Sequence, residues 1–181
     1  MKRALVFVAV VIAVLAAGTP AYAQQDRKAA IVVTAPSGIG VLLPVNDQVA
    51  IRPEFFFSKT STENASTALT TKFSSWQLGA GVSGLFYMGK PATFRTYWSP
   101  RFVVTHQDST STGTNSNGTN SYSASGSFGA QCALGDRFKV FGELGLNYGW
   151  LNVGVSTTLS TVTAKTRSFG TRSAVGVAFS F

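Results

Sequence analysis

From Ser168 to the last residue, Phe181, two kinds of side chain take turns. Phe169, Thr171, Ser173, Val175, Val177, Phe179 and Phe181 share one face; Ser168, Gly170, Arg172, Ala174, Gly176, Ala178 and Ser180 share the other. A period of two belongs to a β-strand, and two unlike faces mean two unlike surroundings. A Val-x-Phe-x-Phe end left in water frays and adheres. Facing lipid, the same strand has no such penalty, so the pattern favours a chain that crosses a membrane as strands.

The alternation recurs upstream. Gln48–Lys59 sets Val49, Ile51, Pro53, Phe55 and Phe57 against Ala50, Arg52, Glu54, Phe56 and Ser58. Lys72–Met88 sets Trp76, Leu78, Val82, Phe86 and Met88 against Ser75, Gln77, Gly79, Gly81 and Ser83. Thr93–His106, Ser121–Leu134 and Phe138–Leu151 repeat the scheme, Ile39–Leu43 reads as a shorter strand, and Ala29–Thr34 as a weak one. Charged residues make up only 12% of the chain, about half the usual share, while Gly, Ser, Thr and aromatics are abundant. Strong helix formers are few, which favours an all-β fold.

The connections alternate in length. Pro44–Asp47, Gly89–Ala92 and Gly135–Arg137 are short. Ser58–Thr71, Asp108–Asn120 and Asn152–Arg167 are long, rich in Ser, Thr, Asn or Val, and expected to form mobile, disordered loops. Short turns at one end and long loops at the other describe a transmembrane β-barrel with short periplasmic turns and long outer loops. Seven strands are plain, and Ala29–Thr34 supplies an eighth, in keeping with the even number of such barrels. The polar face is mostly Gly, Ser, Gln, Asn and Ala. That suits a crowded lumen better than a water-facing coat, which would carry Lys, Glu and Asp. Phe57, Trp76, Tyr122, Trp150 and Phe169 fall near the long-loop ends, and Phe86, Tyr87, Phe94, Phe138 and Phe181 near the short-turn ends. Two such bands match interfacial girdles. Pro53 and Pro100 cannot donate to a ladder, so each is expected to mark a bulge or an early strand break.

Residues 1–23 read as a secretory signal peptide: Lys2 and Arg3, the apolar run Ala4–Ala17, a Gly18-Thr19-Pro20 break, and the cleavage site Ala21-Tyr22-Ala23. Residues 24–36 form an N-terminal segment with the possible first strand, and 37–181 the barrel. The formal charge is +8, but the bases are scattered singly, which argues against nucleic acid. Cys132 is the only cysteine, so one chain builds neither a disulfide nor a cysteine metal site. No metal cluster, phosphate loop or nucleotide fingerprint appears, so no cofactor is expected.

Three stretches carry a family resemblance beyond the Ala21-Tyr22-Ala23 signal end: Asn46-Asp47-Gln48-Val49-Ala50-Ile51-Arg52-Pro53-Glu54, Gln77-Leu78-Gly79-Ala80-Gly81-Val82, and Val175-Gly176-Val177-Ala178-Phe179-Ser180-Phe181. With them the chain resembles the small outer-membrane β-barrel proteins, the OmpA-like, OmpX-like and opacity-protein superfamily. The resemblance implies an all-β, single antiparallel up-and-down barrel in the bacterial outer membrane. It implies that Val175, Val177, Phe179 and Phe181 look like the signal read by the barrel-assembly machinery. The implied partners are outer-membrane lipids and lipopolysaccharide, and periplasmic chaperones during transit. The fold hosts anchors, adhesins, transporters and lipid-modifying enzymes, so it does not name an activity.

The charges of lumen parity are Arg52, Glu54, Arg95, Arg101, Lys139, Glu143 and Arg172. Buried charges must be paired or hydrated, so these are expected to form a polar network plugging the barrel, with a narrow anion pathway as the rival reading. His106, the only histidine, lies near Ser109 and Ser111, as in His–Ser lipid deacylases, but no acid is placed to orient the ring. Catalysis is not expected. A structural or surface-interaction role is the leading expectation, a narrow pore or transporter the second, and a soluble periplasmic ligand-binding barrel the third.

Overall fold

The computed structural model of the chain describes residues 28–35, 38–65, 70–89, 92–111, 118–156 and 161–181. The signal segment read at residues 1–23 lies outside them. The described residues form eight strands: β1 (Ala30–Ala35), β2 (Gly38–Pro44), β3 (Val49–Ala65), β4 (Thr70–Tyr87), β5 (Phe94–Ser111), β6 (Thr119–Ala133), β7 (Phe138–Ser156) and β8 (Thr161–Ser180). They pair antiparallel in chain order, and β8 closes the barrel on β1 with Ala30 opposite Ser180. The expected eight-strand up-and-down barrel is the fold found. The weak first segment is a full member of the wall, so the barrel begins at Ala30.

The faces sort as the period-two pattern requires. Ile31, Val33, Ile39, Phe55, Val82, Phe102, Leu146 and Val175 point outward and are exposed, and Leu144 and Phe169 each keep 71% of their surface. Mostly small and polar residues point inward, with larger apolar ones gathered near the short turns. One exception concerns the lower aromatic band: Tyr87 is buried in the lumen, not exposed at the rim. Its position is odd-numbered like Gln77, Gly79 and Ser83, so parity already assigned it inward.

Neither proline produces the expected bulge or break. Pro53 keeps its place opposite Val82 on β4, and the β2–β3 ladder resumes in the same register on both sides, from Gly40↔Glu54 to Leu43↔Ile51. Pro100 behaves alike: it pairs with Gly126, and the β4–β5 ladder runs in one register from Ser83↔Arg101 to Phe86↔Trp98. Each proline turns its missing N–H toward the one neighbour where pairing lapses. A strand tolerates this because its N–H groups point alternately to either side.

The expected long loops are strand for much of their length. β3 and β4 stay paired from Ser58↔Gln77 to Ala65↔Thr70, and β7 and β8 from Asn152↔Lys165 to Ser156↔Thr161. β5 continues to Ser111 and β6 starts at Thr119. Residues 66–69, 112–117 and 157–160 lie outside the described residues. The wall therefore continues as polar ribbon well above the upper aromatic level. By contrast, the β1–β2 hairpin is short. Thr34 already pairs with Gly38, and Ala35 pairs with Val175, while β8 runs on to Thr161 and β3 to Ala65. Above this hairpin no strand among the described residues lies between β8 and β3.

Candidate functional site

The lumen divides into three levels. At the short-turn end Ala30, Val32, Leu42, Ala50, Leu85, Tyr87, Tyr97, Phe141 and Ala178 form an apolar core. Tyr87 meets Tyr97 edge-on at 5.5 Å, and Arg95 lies over the Tyr87 ring at 4.3 Å. Arg95 also donates to the Asp47 carbonyl at 2.7 Å, and the Tyr87 hydroxyl donates to Gln131 at 3.1 Å.

The middle level is ionic. Arg52, 1% exposed, stands between two buried glutamates. Its Nε donates to Glu54 Oε1 at 2.8 Å, and its Nη2 lies 2.8 Å from Glu143 Oε1. Arg101 holds the other Glu54 oxygen, with Nη2 at 2.7 Å and Nε at 2.8 Å. Arg172 Nη1 holds Glu143 Oε2 at 2.7 Å and also donates to Ser127 at 3.0 Å. The hydroxyls of Ser83 and Tyr97 donate to Glu54 and Glu143 at 2.7 and 3.0 Å. Three guanidinium groups thus face two carboxylates, which leaves an excess of positive charge.

Register explains why these groups meet. Arg52, Ser83 and Arg101 are paired neighbours across β3, β4 and β5. Tyr97, Gly129 and Glu143 are neighbours across β5, β6 and β7, and Ser127, Gly145 and Arg172 across β6, β7 and β8. A glycine sits in the middle of each of the last two rows. A Cβ at Gly129 would meet the Tyr97 ring at 2.5 Å, and one at Gly145 would run into the Gly126 carbonyl. With no side chain there, Tyr97 reaches across Gly129 to Glu143, and Arg172 reaches across Gly145 to Ser127.

Of the seven lumen charges predicted from parity, Arg52, Glu54, Arg101, Glu143 and Arg172 meet in this network. Arg95 and Lys139 do not: they belong to the short-turn level, where Arg95 pairs with Gln131 in register and Lys139 with Ala133. Ser83, Tyr97 and Ser127 complete the network and carry no charge to betray them. Of the terminal set, Val175, Phe179 and Phe181 are exposed on the outer face and Val177 is half-buried there. His106 stands at the upper belt, opposite Leu78 in register, its Nδ1 2.8 Å from Asn120 Oδ1 and its ring 5.4 Å from Trp76.

The upper level is a vestibule of about 510 Å³, with Phe56, Ser58, Gln77, Arg101, Thr105, Asn147 and Arg172 in its lining. Thr34, Ala35, Thr171 and Ser173 also line it, so it reaches the gap above the β1–β2 hairpin.

No family model and no curated protein matches the chain. Among solved structures it is similar to a major outer membrane protein from Thermus thermophilus, at 11% identity and a TM-score of 0.52, over 87% of this chain and 100% of that one. It is more loosely similar to CarO of Acinetobacter baumannii (15% identity, TM-score 0.44, 85% and 97% covered). Neisserial surface protein A stands alike (16%, 0.45, 85% and 94%). Identity at this level speaks to architecture. The Thermus protein and the strand order together give this chain the fold of a small, eight-stranded outer-membrane β-barrel.

Proposed function

We propose that the chain is an integral outer-membrane protein whose barrel anchors a tall polar rim for contacts at the cell surface, and that it does not conduct. The observation that carries this reading is the inverted packing. Large apolar side chains cover the outside, and the buried middle is filled by Arg52, Glu54 and Glu143. Exposed Leu144, Phe128 and Phe55 would be costly in water and are stabilised against acyl chains. An eight-stranded wall leaves an interior that side chains just fill, and here the ionic level and the tyrosine level close it in succession. The short turns then belong to the periplasm and the extended strands to the exterior. Insertion through the barrel-assembly machinery, with Val175, Val177, Phe179 and Phe181 as its recognition strand, follows from the same reading, as do delivery by periplasmic chaperones and a setting among outer-membrane lipids and lipopolysaccharide.

Heat-dependent mobility in detergent gels tests the membrane assignment. The folded barrel should run ahead of the boiled chain, and a chain that stays dissolved without detergent would overturn it. Planar-bilayer recording tests the closed lumen: the folded protein should give no steady conductance steps.

A further inference from the structure

Resting on that membrane reading, we propose that the gap above the β1–β2 hairpin is a lateral portal. Through it a single-chain anionic amphiphile of the outer leaflet places its phosphate or carboxylate head in the vestibule beside Arg101 and Arg172.

The first observation is length. β1 has six residues and β2 seven. A strand needs about 9–11 residues to cross the hydrocarbon. β1 starts and β2 ends at the periplasmic level, where Ala30 faces Ser180 and Pro44 precedes a short turn. At ~3.3 Å per residue and a tilt of ~40° the hairpin rises about 15 Å, against an apolar band of ~25 Å. It ends inside the membrane. Above it β8 (from Ala174 upward) and β3 (from Phe56 upward) show edges that no described strand covers, at the depth of the outer leaflet. Open sheet edges do not face acyl chains directly; they line polar or wet cavities.

The second observation is composition. The outer face at this depth is apolar elsewhere, as at Phe55, Val82, Phe102, Leu144 and Leu146. On β8, however, Thr171 and Ser173 point outward beside the gap, opposite Leu146 and Leu144 of β7. Two hydroxyls on the lipid face flank the opening, and both line the cavity.

The third observation is charge. The vestibule floor is the ionic network with its positive excess. Arg101 and Arg172 are its least buried members, with 17% and 14% of their side-chain surface left open. Guanidinium groups hold phosphate and carboxylate well because their planar donors match paired oxygens. A volume of about 510 Å³ holds a head group and the first methylenes, while the tail remains in the bilayer through the gap.

The probe is a photoreactive dodecyl phosphate, with dodecyl trimethylammonium and inorganic phosphate as controls, on the folded protein in zwitterionic detergent. The alkyl phosphate should bind saturably, about tenfold or more tighter than the ammonium, and crosslink to segments bearing Phe56, Thr171 or Ser173. Arg101→Gln and Arg172→Gln should each weaken binding about tenfold. Each leaves its glutamate held by Arg52, so the barrel should still form. Ala35→Trp and Ser173→Trp, outward substitutions at the rim and away from the network, should block binding while heat mobility stays unchanged. Equal binding of phosphate and ammonium, full competition by inorganic phosphate, crosslinks remote from the gap, or rim variants that bind normally would each overturn the portal. Those failures on a heat-shifting protein would leave the membrane assignment standing; loss of the heat shift itself would strike the assignment.

Discussion

Arg52 is the one cation that both glutamates share. Without it, Glu54 keeps Arg101 and Ser83, and Glu143 keeps Arg172 and Tyr97, but an inward space opens between two like charges. Arg52→Ala should therefore destabilise the barrel by about 3–5 kcal/mol, the range for breaking a buried ion pair. Arg101→Gln or Arg172→Gln should cost about 1.5–3 kcal/mol, since each removes a charged hydrogen-bond donor from a carboxylate that retains another arginine. Urea unfolding of the folded protein in detergent, followed by tryptophan fluorescence, ranks the three; equal midpoints for Arg52→Ala and the parent would refute the shared-cation account. The same residues show what a sequence can tell about a lumen. Parity assigned all seven charges inward, because alternation is local. It did not separate Arg95 and Lys139 from the rest, because height in a tilted barrel depends on register between strands. Tyr97 escaped notice as a network member since its role depends on Gly129 lying next to it on β6, a pairing with no mark in the order of residues.

At the scale of the strand, the polar extensions obey a different rule from the membrane wall. In Ser58–Glu63 the side chains of both faces are exposed, so the apolar contrast that reveals a strand is absent, and a Ser/Thr run there looks like a loop. Thr has strong strand preference nonetheless, and a partner strand already paired below extends the ladder upward. That is why the loops look longer in the sequence than they are, while the alternation marks the spanning segments and the short turns. An isolated hairpin is marginal and contributes little to the barrel beneath it. Replacing Thr60–Ser75 by an Asn-Gly turn between Lys59 and Trp76 should leave heat mobility intact and shift the unfolding free energy by less than about 1 kcal/mol. A large loss would mean that the ribbon supports the wall. The prolines follow from the same geometry. The β4–β5 ladder already omits Pro100, so Pro100→Ala should change stability by no more than about 1 kcal/mol in the same unfolding measurement, whereas a proline holding a bulge in place would shift the register when replaced.

For the molecule as a whole, lipid outside and charge inside place two unlike closures in one lumen. The ionic level needs its partners to be correct; the level of Tyr87, Tyr97 and Phe141 closes chiefly by ring volume, with the tyrosine hydroxyls on Gln131 and Glu143. They lie one above the other, so they act in series. Taking the first apart by the triple change Arg52→Ala, Glu54→Ala and Glu143→Ala removes both carboxylates and the cation they share, and keeps Arg101 and Arg172. It leaves three aromatic rings at the periplasmic end, where Tyr97 is 0% and Tyr87 and Phe141 each 9% exposed. A lumen of eight strands has no spare width around such rings. The triple variant, selected for the heat-shifted form, should therefore remain silent in planar bilayers. Adding Tyr97→Ala and Phe141→Ala should give conductance steps, as the ionic level then keeps only Arg101 and Arg172 and the short-turn core keeps Tyr87 as its one ring. Conductance in the triple variant alone would show that the ionic network is the sole barrier and that the aromatic level yields to water; silence in the five-fold variant would show that the wall itself collapses inward. Either result bears on how a barrel this narrow stays shut, because a series of two closures tolerates the loss of one, and a single closure does not.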